Sequence, residues 1–201
     1  MTEKTALRRA IFLDRDGTLN RDTGYVHRKE DWQWLPGVPE ALKRLRAVGY
    51  VLVVVSNQSG IARGMFDHDA LKRLEEWVNA DLAAKNAAID AWYYCPHLPE
   101  ITGPCQCRKP EPGLLLRAAR DLDLDLANSW MIGDRVRDVR AGLAAGCRSI
   151  LLHPESGGHE DDGDVPDGVS VAPHLPAAGV HILAPRMREL RAARLLEKMK
   201  E

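Results

Sequence analysis

The chain has 201 residues, 45% of them hydrophobic and 28% charged, enough for one domain of ordinary size with a full core. Its 28 basic and 29 acidic side chains leave a formal net charge of -1, so no overall basic field draws in nucleic acid or an anionic membrane, and an anionic substrate has to be recognised locally. Residues 1–9 have no long apolar core behind their charges and the longest apolar run, 50–55, is too short to span a bilayer; the expectation is a cytoplasmic protein whose four cysteines are ligands or buried thiols rather than disulfides.

The predicted elements alternate strand and helix. Residues 10–13 form an apolar strand, and Gly17 permits the sharp turn that leaves Asp14 and Asp16 at its carboxyl end. Residues 38–48 have apolar residues at helical spacing, Gly49 stops them, and 50–55 is a β-branched buried strand, which completes a β-α-β unit. Asp67 caps an amphipathic helix to about Lys85, with Leu71, Leu74, Trp77, Val78 and Leu82 on one face. A Trp-Tyr-Tyr strand at 92–94 precedes a helix over 112–122, a strand over 129–132, a helix over 136–145 ended by Gly146, and a strand over 149–152. Residues 153–173 read as an exposed acidic loop in which Glu160, Asp161, Asp162 and Asp164 lack regular metal-ligand spacing. Residues 180–183 read as an edge strand and 185–198 as a basic amphipathic helix packed on the sheet. Repeated β-α order predicts an α/β fold, a parallel sheet with helices on both faces, in one domain spanning 1–201.

A bare Asp-x-Asp is more often a solvated loop than a site. Here three further polar elements follow in order. Attack on a phosphate monoester pushes one anion onto another, so a carboxylate nucleophile needs a cation beside the phosphoryl group. Asp14 is the expected nucleophile, and a hard, oxygen-preferring ion such as magnesium suits Asp14, the main chain of Asp16 and a third carboxylate. That third is Asp134, in Met-Ile-Gly-Asp-Arg-Val-Arg-Asp, where Gly133 again turns the chain at a strand end. Asp134 also suits the cap of the following helix, and Asp138, one turn on, is placed to orient the site. Asp16 is expected to protonate the leaving alkoxide and then to deprotonate the water that hydrolyses the aspartyl-phosphate. Ser56, opening Ser-Asn-Gln-Ser-Gly, and Lys109 supply a donor and a fixed positive charge to the phosphoryl oxygens.

Cys95-Pro96-His97 and Cys105-Gln106-Cys107 supply three thiols and one imidazole, the filled tetrahedral donor set that zinc prefers. The spacing inside each pair is tighter than in zinc fingers, yet Cys105 and Cys107 are too close for an easy mutual disulfide, and Pro, Gly and Thr between the pairs let the loop double back. Structural zinc outweighs unrelated core thiols, the pinned loop presenting Arg108 and Lys109. Cys147 is expected to be a buried thiol.

Together Asp14-x-Asp16-Gly17-Thr18, Ser56, Lys109 and Gly133-Asp134 resemble the four motifs of the haloacid dehalogenase superfamily of phosphatases, over about residues 10–152. The resemblance implies a Rossmann-like fold, magnesium and a phospho-aspartate intermediate, and an acid at Asp16 goes with phosphatases rather than dehalogenases or ion pumps. Cys-Pro-His with Cys-x-Cys-Arg-Lys-Pro is similar to two families, the D-glycero-D-manno-heptose 1,7-bisphosphate 7-phosphatases and the histidinol-phosphate phosphatases; residues 22–27, 56–64 and 109–113 resemble the former more. That resemblance implies removal of the carbon-7 phosphate with the carbon-1 phosphate kept, a step toward nucleotide-activated heptose for bacterial cell-surface glycans. It also implies that Arg108 contacts the retained phosphate, that Asp22, Thr23, Gly24 and Tyr25 line the sugar, and that Ser56, Asn57, Gln58 and Ser59 do the same. Arg135 stands where relatives often have lysine. Residues 20–50 and 61–94 leave no room for a separate cap domain, so loops 21–34 and the zinc loop are expected to grip the sugar, with Tyr25 packed there and Trp32 and Trp34 packed there or in the core. The expected partner is a small phosphorylated sugar, with no nucleic acid and no membrane, and the expected state a monomer. A nucleic-acid 3'-end phosphatase would want a basic groove that this charge balance does not advertise.

Overall fold

Apolar runs without alternation make strands buried on both faces, and the centre of the sheet in the computed structural model, which describes residues 7–153 and 163–198, is built from them. β1 (Ala10–Leu13) is fully buried at all four positions. It pairs in parallel with β2 (Val51–Asn57) on one side and β4 (Trp130–Gly133) on the other. β3 (Ala91–Cys95) lies outside β2, and β5 (Arg148–Leu152) and β6 (Ser170–Ala172) lie outside β4, giving a parallel sheet of order β3-β2-β1-β4-β5-β6.

Alternate side chains serve opposite faces. Ile11, Leu13, Leu52, Val54, Ile132 and Ile150 pack with α1 (Val38–Ala47), α2 (His68–Ala83) and α6 (Leu175–Lys198). Phe12, Val51, Val53, Val55 and Met131 pack with α4 (Gly113–Leu122) and α5 (Val136–Ala144) on the other face. Each large side chain so buried contributes about 1.5–3 kcal/mol. Asp67 caps α2 as its spacing predicts, its Oδ1 accepting the Ala70 N–H at 2.7 Å. The strand order reverses around β1, and the crevice at the carboxyl ends of β1 and β4 is the ligand-binding position of such sheets. α1 and α2 fill the connections β1 to β2 and β2 to β3, and no separate cap domain is inserted.

Three expectations change. Residues 180–183 are not an edge strand: α6 runs through them from Leu175 and past Pro185, burying Ala178 and Ile182 four residues apart. A short apolar run carries no period of its own, and packing decided it. The edge strand is instead β6, three residues inside the stretch expected to be loop, paired with β5. Trp77 leaves the buried face of α2, 38% exposed, while Leu71, Leu74, Val78 and Leu82 fill that stripe without it. A four-residue helix, α3 (Pro99–Thr102), sits between the two cysteine pairs. Of the acidic loop, Asp164 is exposed, whereas Glu160, Asp161 and Asp162 lie outside the described residues. Among the described residues no helix is long and apolar enough to cross a membrane.

Candidate active site

Three parallel strands end side by side, and each hands polar groups to one crevice. Asp14 follows β1, its N–H donating to the Ile132 carbonyl of β4 at 2.9 Å; Ser56 is in the last turnings of β2; Asp134 follows β4. Two glycines let carboxylates lie against the backbone. Gly17, at φ 77°, faces the Asp134 carboxylate where a Cβ would overlap it, and a Cβ at Gly133 would likewise overlap the Asp138 carboxylate.

Lys109 is only 2% exposed. Its Nζ donates to Asp14 Oδ1 at 2.6 Å and to the Val55 carbonyl at 2.8 Å, and lies 2.7 Å from Asp138 Oδ1. Burial opposes its charge, but Asp138 and Asp14 outweigh that and raise its pKa. The acids feel the converse. Burial pushes Asp14 up to about 6 against the pull of Lys109, with Asp138 and Asp16 adding to the rise. Asp134 is pushed up to about 8 by burial and then by Asp14 and Asp138, opposed by Arg135. Oxygens of Asp14, Asp134 and Asp138 lie within 4.8 Å of one another. A hard divalent cation fits this oxygen set, because it supplies the positive charge that one lysine does not.

Asp138 carries more than its expected orienting part: besides Lys109 it accepts the Arg135 N–H at 3.0 Å. The cap position of α5 is therefore occupied by Arg135, and Asp134 does not serve as that cap. The signal for Asp138 was its spacing of one helical turn from Asp134; Lys109 was legible after the cysteine pairs, but its pairing with Asp138 was not.

The Asp16 carboxylate lies outside that three-acid cluster. It accepts from Arg15 Nη2 at 2.8 Å, Asn20 Nδ2 at 3.0 Å and Gln58 Nε2 at 3.1 Å. Gln58 Nε2 also donates to Ser56 Oγ at 2.9 Å. Asn57 exchanges two 3.1 Å hydrogen bonds with the backbone of Lys109, so its amide fixes the lysine loop to the end of β2.

These groups open into a cavity of about 270 Å³. Asp14, Asp16, Ser56, Lys109 and Asp134 line it, as do Asp22, Gly24, Tyr25, Asn57, Gln58, Ser59 and Arg108. Thr23 is not among the lining residues, and Arg135 and Arg137 are, neither having been assigned a role from sequence. Arg135 faces Asp22 at 3.9 Å and Asp134 at 3.6 Å. Of the aromatic residues expected near the sugar, Tyr25 lines the cavity, whereas Trp32 and Trp34 meet edge to face and pack in the core.

The cysteine pairs converge as their spacing suggests. Cys95 Sγ lies 3.7 Å from His97 Nδ1, 3.7 Å from Cys105 Sγ and 3.2 Å from Cys107 Sγ; Cys107 Sγ is 3.3 Å from His97 Nδ1 and 3.5 Å from Cys105 Sγ. Sulfurs about 2.3 Å from one zinc ion stand roughly 3.8 Å apart, so these edges are close to those of a filled tetrahedron. Arg108, next in the chain, donates from Nη1 to the His97 carbonyl at 3.1 Å. Cys147 is a lone buried thiol, pushed up to about 12 by burial.

A family model described as HAD-hydrolase-like matches residues 106–178. The D-glycero-beta-D-manno-heptose-1,7-bisphosphate 7-phosphatase of Pasteurella multocida (strain Pm70) is 49% identical over 150 residues, covering 73% of this chain and 82% of the relative. Its counterpart in Escherichia coli (strain K12) is 48% identical over 148 residues, 71% of this chain and 78% of the relative. Among solved structures, the D,D-heptose 1,7-bisphosphate phosphatase of B. bronchiseptica, complexed with magnesium and phosphate, aligns with a TM-score of 0.79 at 36% identity, over 87% of this chain and 98% of that one.

Proposed function

The chain belongs to the D-glycero-beta-D-manno-heptose-1,7-bisphosphate 7-phosphatase family of haloacid dehalogenase-like phosphatases, and from that premise we propose that it hydrolyses the carbon-7 phosphate of this bisphosphate through a phosphorylated Asp14. The observation that carries the reading is the buried Lys109–Asp14 contact inside a carboxylate cluster that opens on a cavity beside Asp16. Lys109 holds one Asp14 oxygen at 2.6 Å, which leaves the other to attack phosphorus as the bond to the sugar oxygen breaks. Asp16 gives its proton to the departing alkoxide, then takes one from the water that attacks the phosphorus of phospho-Asp14 and releases inorganic phosphate. Ser56 and Lys109 donate to the phosphoryl oxygens. Asp14 and Asp134, with the main chain of Asp16, would hold magnesium, which screens the phosphate dianion from the attacking carboxylate.

Cys95, His97, Cys105 and Cys107 would hold a structural zinc ion that steadies the turn into Arg108 and Lys109. Arg108 is read as the contact to the retained carbon-1 phosphate, and Asp22, Gly24, Tyr25 and Ser59 as the walls of the sugar site. The whole of residues 1–201 is taken as one cytoplasmic domain acting on this small substrate. Phosphorus NMR of the purified chain with magnesium and the β-anomer of heptose bisphosphate tests the assignment. The carbon-7 signal should vanish while the carbon-1 signal stays, faster than histidinol phosphate is consumed. Loss of the carbon-1 signal first, or preference for histidinol phosphate, contradicts it.

A further inference from the structure

Arg15 heads the large side chains that the fold buries completely, at 1% exposure, and it stands between the two acids of the first motif. A guanidinium carries five donors in a rigid plane, and burying it is costly where they go unpaired; Nε and Nη2 are engaged here, while Nη1 has no hydrogen-bond partner among the described residues. Nε lies 3.2 and 3.1 Å from the two Asp16 oxygens, and Nη2 lies 2.8 Å from Asp16 Oδ2 and 2.6 Å from the Val26 carbonyl oxygen. A fork of this kind fixes the plane of a carboxylate, which a single ammonium does not. Asn20 and Gln58 hold the same carboxylate from Oδ1 and Oδ2 at 3.0 and 3.1 Å.

The second anchor lies elsewhere in the chain. Val26 is itself buried in the core, and it closes the loop that brings Asp22, Gly24 and Tyr25 to the cavity wall. One side chain therefore ties the carboxylate of Asp16 to the foot of a cavity-lining loop. Stability alone does not call for an ion pair here, because a well-packed apolar side chain of similar volume is often as stabilising as a buried charge pair.

We propose that Arg15 is a positioning residue for the phosphatase reaction: it fixes the Asp16 carboxylate in the plane in which the proton is passed and sets the sugar-lining loop in the same register. This rests on the reading of Asp16 as proton donor and acceptor. Proton transfer requires hydrogen-bond geometry with the reacting oxygen, and small misplacements are expensive in rate.

The test compares two leaving groups. A sugar alkoxide has to be protonated as it leaves, whereas p-nitrophenolate does not, and hydrolysis of phospho-Asp14 requires Asp16 for both. Arg15→Met should lower heptose bisphosphate turnover on the order of 100-fold. With p-nitrophenyl phosphate the first turnover should stay within a few-fold of the parent chain and be followed by a slow steady state, a burst of about one equivalent per chain. KM for the heptose substrate should rise more than KM for the aryl ester. Arg15→Lys, which keeps the charge without the fork, should recover thermal stability but retain the burst.

Equal loss on both substrates without a burst, in Arg15→Lys as in Arg15→Met, makes Arg15 part of the scaffold and overturns the proposal, as does parental activity in either variant. Asp16→Asn, run in parallel, separates the two levels. If it lacks the leaving-group dependence, the proton-transfer reading of Asp16 falls; if it has that dependence and the Arg15 variants do not, only the positioning proposal falls.

Discussion

Two clusters of side chains with the chemistry to hold a metal ion are built on opposite plans. The thiol and imidazole set is local: Cys95 and Cys107 are 12 residues apart, and the end of β3 with the loop that follows it supplies every donor. The carboxylate set is long-range: Lys109 reaches Asp14 across 95 residues of sequence, and Asp134 and Asp138 come from the far side of β1. The first has soft donors at tetrahedral edges; the second has hard donors, raised pKa values at Asp14 and Asp134, and an opening to a cavity. The two meet at Lys109, two residues after Cys107. On the proposed reading, zinc held by these local donors would steady the turn that brings one buried ammonium between two carboxylates.

The sharpest way to break this comparison is to remove the nucleophile alone. Asp14→Asn should lower turnover by at least about 10⁴-fold while the chain keeps its full zinc content, measured by steady-state assay and elemental analysis. Retained turnover would dissolve the division between chemistry and scaffold. Cys107→Ala should act in the opposite order, losing zinc first and activity on the order of 100-fold as the Arg108–Lys109 turn loosens, with a lower melting temperature. A variant that kept its zinc, or lost zinc with no cost in rate, would remove the link at Lys109.

A smaller effect is expected at the point where the pinned loop faces the sugar. Arg108→Ala should cost roughly 1.5–3 kcal/mol in kcat/KM for heptose bisphosphate, on the order of ten- to a hundred-fold, and little for a sugar monophosphate lacking the second phosphate. Equal loss on both substrates would put Arg108 on the reacting phosphate or in the scaffold. The smallest effect lies away from both clusters. Burial, with Glu76 adding to it and Lys72 opposing, pushes Glu75 up to about 7 from 4.5. The folded state thus favours protonated Glu75, and this contribution is lost as pH rises from about 4.5 to 7. Glu75→Gln should be more stable relative to the parent at pH 8 than at pH 5, by no more than about 1 kcal/mol since the group is half-exposed to solvent; chemical unfolding at the two pH values reads it.

Legibility in the sequence follows the same local and long-range division. Phe12 and Leu13 before an Asp-x-Asp-Gly turn, and Val51 to Val55 before Ser56, announce strands ending in polar groups, because unbroken apolar runs have few other places to go. Cys-Pro-His and Cys-x-Cys announce their own convergence, since only 12 residues separate the outermost donors and little loop has to close. The contact of Lys109 with Asp138 announces nothing, as it exists only once β1, β2 and β4 are side by side. Arg15 is harder still, because an arginine next to an acid usually belongs to the surface, and only the core decides that this one turns inward. At Val180 to Leu183 the apolar run suited either period, and burial of Ile182 against the sheet chose the helix.

The central claim is that Asp14 becomes covalently phosphorylated while the zinc loop takes no part in bond making. Acid-quenching the parent chain and Asp16→Asn during turnover with heptose bisphosphate and magnesium, followed by peptide mapping, measures this directly. Phosphate should be found on the peptide bearing Asp14, and in Asp16→Asn it should build up when p-nitrophenyl phosphate replaces the heptose ester, because that leaving group needs no proton and only hydrolysis is slowed. Phosphate on any other residue, or steady turnover with none on the chain in either protein, would contradict the account.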